Sequence, residues 1–245
     1  MLAIFKREFK SYFQNVIGWL FVAALLAVYG LYFYVYNLKN GYPYISYDLK
    51  GIGFIMMIAV PILTMRSLSD EKKTKTDQLM LTSPVSVGRI VAGKYLAMAA
   101  VYTIDIALFA LSPLVLSIYG KVALSEAYVA LFGYWLYGLS CIAVGLFISS
   151  ISESVIISAI LTFAALFLSY MMQSITGLIS SSGNLLTKVL NCFDLYTPFE
   201  NFVSGCFSVT SAAYYVTVIL LLCFLTTQSI QKLSLIHISE PTRPY

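Results

Sequence analysis

The chain has 245 residues, of which 60% are hydrophobic and 11% charged, and its mean hydropathy is +0.85. Soluble domains carry about 25% charged residues, so a surface this short of charge excludes a free water-soluble protein and points to an integral membrane protein. The net charge of +4 is small and scattered, which makes no case for a nucleic-acid partner.

Taken in chain order, the first predicted element is amphipathic. Leu2, Phe5, Phe9, Tyr12, Phe13 and Val16 recur at helical spacing, with Lys6, Arg7, Lys10 and Gln14 opposite them. That pattern predicts a helix lying in the membrane interface. The apolar run behind it is too long for the core of a cleavable leader, and none is read.

A bilayer core of about 30 Å takes about 20 apolar helical residues, and six stretches qualify as spans. They lie near 17–36, 51–65, 95–119, 127–150, 154–172 and 211–230. The second is short and crosses only if Lys50 and Arg66 reach outward or the Tyr-rich stretch before it joins in. The third is interrupted by Asp105 and Pro113. On the fourth, Gly138 and Gly145 stand one heptad apart with Cys141 between them, a spacing of small residues that predicts close helix packing. Between spans five and six, residues 173–210 are rich in Ser, Gly and Asn yet carry apolar pairs, and short helices dipping back toward the membrane are expected there. The fold class is therefore all-α: a polytopic membrane protein with six transmembrane helices and an N-terminal interfacial helix.

Orientation follows from the cations in alternate loops. Lys6, Arg7, Lys10, Arg66, Lys72, Lys73, Lys75, Arg89, Lys94 and Lys232 fall on one side; Lys39, Lys50, Lys121 and Lys188 fall on the other. The richer side is expected to be cytoplasmic, with both termini there. Cys192 and Cys206 share one polar segment and would pair only in an oxidising space; free thiols are the simpler reading.

The segment after the second span, MRSLSDEKKTKTDQLMLTSPVSVGRIVAGKY, is the richest in charge. It predicts a short helix near 75–82 and a restart at Ser83-Pro84, with Ser as N-cap and Pro at the first helical position. Together with KREFKSYFQNVIGWLF at the start and GLFISSISESVIISAI between spans four and five, it resembles the six-span permease subunits of type-2 ATP-binding-cassette transporters, close to the gliding-motility-associated branch. The resemblance covers residues 1 to about 232. It implies that the loop after span two carries a coupling helix docking on a separate cytoplasmic ATPase subunit, with Asp70, Glu71, Thr76, Asp77, Leu79, Leu81 and Pro84 at the matching positions. The family usually has Glu where Asp77 stands, which keeps the charge on a shorter side chain. It also implies a second permease subunit, identical or related, and places ATP and magnesium in the partner, with no cofactor in this chain. Read without the resemblance, the same loop is a solvated charge run.

Within that segment GRIVAGKY nearly matches the phosphate-binding loop Gly-x4-Gly-Lys-[Ser/Thr], with Tyr95 in the hydroxyl position. A working phosphate loop follows a strand and needs a Ser or Thr on magnesium. This one follows a Ser-Pro turn and opens a span, so Arg89 and Lys94 are expected at the cytoplasmic boundary of span three, with Gly88 and Gly93 admitting neighbouring backbone. Asp105, 11 residues on, falls near the bilayer midplane, where an ionisable group serves a translocation path, a proton-linked step or helix packing. Glu153, in the turn before span five, is placed to touch a cytoplasmic partner or to cap a helix. An intramembrane enzyme has little to build on: His237 is the only histidine, and neither HExxH nor GxSxG occurs. A non-transporting membrane scaffold is the remaining alternative. Residues 233–245, LSLIHISEPTRPY, read as a non-native tail translated from a sequencing adapter and are set aside.

Overall fold

The computed structural model describes residues 1–74, 85–179 and 193–239. Every regular element among them is helical. Helix α1 (Leu2–Gln14) is followed by α2 (Val16–Phe33), whose last turn widens into a π-helical stretch, Tyr34–Lys39. Then come α3 (Ser46–Gly53), α4 (Met56–Thr64), α5 (Ser69–Lys73), α6 (Val87–Phe109), α7 (Ser112–Tyr119), α8 (Leu124–Ile151), α9 (Val155–Ile179), α10 (Thr197–Val203) and α11 (Val209–Ser239). Five helices are long and apolar enough to cross a membrane, and six crossings result if the bent pair α3–α4 counts as one.

The weak second span of the sequence has a structural cause. Its two short pieces meet at a 57° bend, so neither crosses alone. The helical structure does reach into the preceding Tyr-rich stretch: α3 begins at Ser46. It is held there by Asn37, whose side-chain amide donates to Asp48, both groups being buried. The third span breaks where Pro113 removes a backbone donor; α6 stops at Phe109 and α7 restarts at Ser112.

Helix α8 is the axis of the bundle, packed on by α3, α4, α6, α7, α9, α10 and α11. Its glycines make that possible. A Cβ on Gly138 would sit 2.3 Å from the Tyr102 ring of α6, and one on Gly145 would sit 2.3 Å from the Thr64 hydroxyl of α4. Gly133 admits Phe202 of α10 in the same way. The expected close packing at Gly138 and Gly145 is therefore found, and it is made with two different helices. Of the expected short helices in 173–210, α10 lies among the described residues. It plugs one end of the bundle with Phe199, whose ring centroid is 5.6 Å from that of Tyr137 on α8. Residues 180–192, including Cys192, lie outside the described residues.

Helix α1 has the predicted amphipathic form. Phe5, Phe9 and Phe13 form a strip of rings with centroids 5.8 Å and 5.0 Å apart, which Trp19 of α2 extends at 5.4 Å. Lys6 and Lys10 are exposed on the same helix.

Candidate functional site

Charged groups converge at the end of the bundle where α1, α5 and the start of α6 meet. Lys94, two turns into α6, is 1% exposed. A buried ammonium must be compensated on several sides, and this one is. Its Nζ lies 2.7 Å from Glu71 Oε1 on α5 and 3.4 Å from Glu8 Oε1 on α1, and it donates to the Ser67 carbonyl at 2.9 Å. Arg7 closes the group, 2.7 Å from Glu8 and 4.0 Å from Glu71. Two cations and two acids, from three segments far apart in the chain, thus form one ion-paired knot. Gly93 lets α1 come this close: a Cβ there would meet Ile4 of α1 at 3.0 Å.

The electrostatics of the knot set burial against pairing. Glu71, beyond the apolar part of the second crossing, has its pKa raised: burial disfavours the carboxylate more than Lys94 favours it. Arg7 is held more firmly protonated, chiefly by its hydrogen bond to Glu8. Beside the knot opens a cleft of about 420 Å³ lined by Arg7, Tyr12, Asn15, Arg66, Asp70 and Glu71, among others.

A second anchor ties α5 to the axial helix. The Ser149 hydroxyl, near the end of α8, accepts from the backbone N–H groups of Leu68 and Ser69, both at 3.1 Å. The Ser69 hydroxyl donates to the Ser149 carbonyl at 3.1 Å, and Lys72 donates to the Ser150 carbonyl. The first two bonds satisfy two of the unpaired donors at the start of α5 from a different helix. The root of the loop after span two is thus fastened to α1, α6 and α8 together.

Of the residues assigned to coupling, Glu71 belongs to the knot, and Asp70 lines the cleft beside it. Thr76, Asp77, Leu79, Leu81 and Pro84, with the helix expected near 75–82, lie outside the described residues. Glu153 is exposed in the turn between α8 and α9, three residues beyond Ser150. Asp105 is fully buried, and neither of its carboxylate oxygens has a hydrogen-bond partner among the described residues. It lies between Tyr102 and Phe109 on one face of α6. Both of those rings neighbour Tyr134 of α8, at 6.2 Å and 6.4 Å, and the Tyr134 hydroxyl also has no hydrogen-bond partner among the described residues.

Lys94, expected at the boundary of its span, lies at that end of the bundle and is also the buried centre of the knot. Glu8, Ser69 and Ser149 were not singled out at all. A lone Lys between Ala-Gly and Tyr-Leu-Ala is a signal that a buried partner exists, and Glu8 is the sole acid on the basic face of α1. Which acid pairs with which cation is set by the fold. The near-phosphate loop is also accounted for. From Val87 its residues are helical, Lys94 is ion-paired and the Tyr95 hydroxyl donates to the Leu139 carbonyl at 3.2 Å. Gly88 needs no special approach; the nearest atom to a Cβ there is 3.9 Å away.

Apolar crossings around a buried axial helix, braced by ion pairs at one end, define a multi-pass membrane protein. The family model described as ABC-2 family transporter protein matches residues 5–227, and the chain belongs to that family. It is a permease component of an ABC transporter. No curated protein matches the chain.

Proposed function

We propose that this chain is the membrane-spanning permease subunit of an exporter driven by ATP hydrolysed on a separate subunit. The end of the bundle carrying α1 and α5 faces the cytoplasm, as the excess of Lys and Arg in its loops favours. The complex lies in the inner or plasma membrane and contains two permease subunits and two ATPase subunits, as the resemblance to the gliding-motility-associated branch implies. The cytoplasmic ATPase docks on the loop after span two, through Asp70, Glu71, Thr76, Asp77, Leu79, Leu81 and Pro84, with Glu153 as a further contact.

The observation that carries this reading is the double fastening of the loop root. A push on residues 75–84 reaches α6 and α1 through the Glu71–Lys94–Glu8 ion pairs, and α8 through Ser69 and Ser149. A solvated linker needs no such anchors. Asp105, on the α6 face that meets α8, sits where relative motion of those helices would open a path, and is the group assigned to translocation.

Co-expression with the ABC-type ATPase subunits of the source genome tests the assignment. The pair should co-purify, and Asp77→Lys should abolish both co-purification and transport. If Asp77→Lys leaves both intact, the coupling loop is wrongly assigned. If no ATPase co-purifies with the unaltered chain, a scaffold role takes its place.

A further inference from the structure

A second hollow, of about 710 Å³, lies on the outer side of α6 and α8, away from the knot. Its floor is made of small residues of α6, Ala99, Ala100, Thr103 and Ala107; Tyr95 and Trp135 form its walls, and Phe5 of α1 its lip. A shallower hollow sharing Thr103, Ala107 and Trp135 continues it to Ala110. The chemistry of the lining narrows the occupant. Thr103 donates to the Ala99 carbonyl at 2.7 Å and accepts from the Trp135 indole N–H at 3.1 Å, and the Tyr95 hydroxyl is spent on Leu139. The lining therefore has almost no polar capacity left to recognise a ligand, and only hydrocarbon fits it.

Dimensions separate an acyl chain from a helix. Tyr95 to Ala107 is 12 residues, or about 18 Å of helix, close to the roughly 15 Å depth of one leaflet of a 30 Å core. A membrane-crossing helix seated in the trough would have to pass Leu2 and Phe5, where α1 closes its end. An acyl chain ends within the leaflet, and its headgroup would lie level with α1, where Lys6 and Lys10 are exposed. We propose that this trough holds one phospholipid acyl chain of the leaflet in which α1 lies, bracing α1 against α6 and α8.

The chain has two tryptophans, so Trp19→Phe leaves Trp135, in the wall of the trough, as the only reporter. The full-length variant is loaded with dioleoyl phosphatidylcholine or its chain-brominated analogue, then passed into lipid-free detergent. Bromine on the bound chain should roughly halve Trp135 emission, and the quenching should survive the detergent wash together with about one retained lipid per chain. Filling the floor with Ala100→Leu, or more severely Ala107→Phe, should restore emission and release that lipid. Emission that recovers on washing would mean an exchangeable boundary lipid and overturn the proposal, as would equal quenching in the filled variants. An unquenched Trp135 in fully brominated bilayers would also overturn it. In that event, cross-linking through Thr103→Cys would show whether a second copy covers the trough.

Discussion

Lys94 and Asp105 stand on the same helix, 11 residues or about 16 Å apart, and both are sealed from solvent, at 1% and 0% exposure. Their surroundings are opposite. Lys94 has three oxygen partners from two segments, α1 and the stretch 67–71; Asp105 has none among the described residues. A buried charge with partners is a fastener, because removing it strands the groups it neutralises. A buried acid with no partner fastens nothing, and its place in a bundle costs stability.

The largest effect should come from the fastener. Lys94→Met removes the cation that both Glu71 and Glu8 face and should destabilise the protein by about 3–5 kcal/mol, read as a lowered thermal midpoint in detergent. The double change Lys94→Met with Glu71→Leu should recover most of that loss, since one of the two facing carboxylates is gone. No recovery would mean that the knot stabilises by packing and not by pairing. Next is the packing that holds Asp105 in place: Gly138→Ala drives a methyl into the Tyr102 ring and should cost about 1–3 kcal/mol. Ser149→Ala removes the acceptor for two buried N–H groups at the root of the loop, and should cost about 1–3 kcal/mol. It should also weaken the dependence of ATP hydrolysis on the permease in the assembled complex. The smallest effect on stability is expected at Asp105. Asp105→Leu should leave the thermal midpoint unchanged or raise it while transport falls. A large loss of stability in that variant would erase the contrast between the two residues.

Much of this architecture can be read from residue types. Apolar runs find α2, α6, α8, α9 and α11, though α6, α9 and α11 end up to ten residues from the ends of those runs, and the spacing of Phe5, Phe9 and Phe13 places α1. Gly138 and Gly145 announce close packing without saying against what, because a glycine marks the absence of a side chain and not the identity of its neighbour. The second apolar run is the weakest in sequence because it is divided in the structure: the bend between α3 and α4 splits it, and α3 begins in the polar stretch held by Asn37 and Asp48. The knot was the least legible feature. Glu8, Glu71 and Lys94 are separated by 63 and 23 residues, and nothing in local pattern tells a cation at a helix mouth from one that will be roofed over by an interfacial helix. Lys94 read as a boundary residue because the covering element, α1, lies at the far end of the chain.

That roof also dictates an order of events during synthesis. Glu8 leaves the ribosome 86 residues before Lys94, a delay of roughly 4–17 seconds at about 5–20 residues per second. Throughout that interval Glu8 has no lysine to meet. The strip of Phe5, Phe9 and Phe13 gives the early helix somewhere to wait, parked on the bilayer surface by its own affinity for the interface. Helix α1 is thus made before α6 yet locked only once α6 is in place, and its closure reports that the third crossing has been inserted.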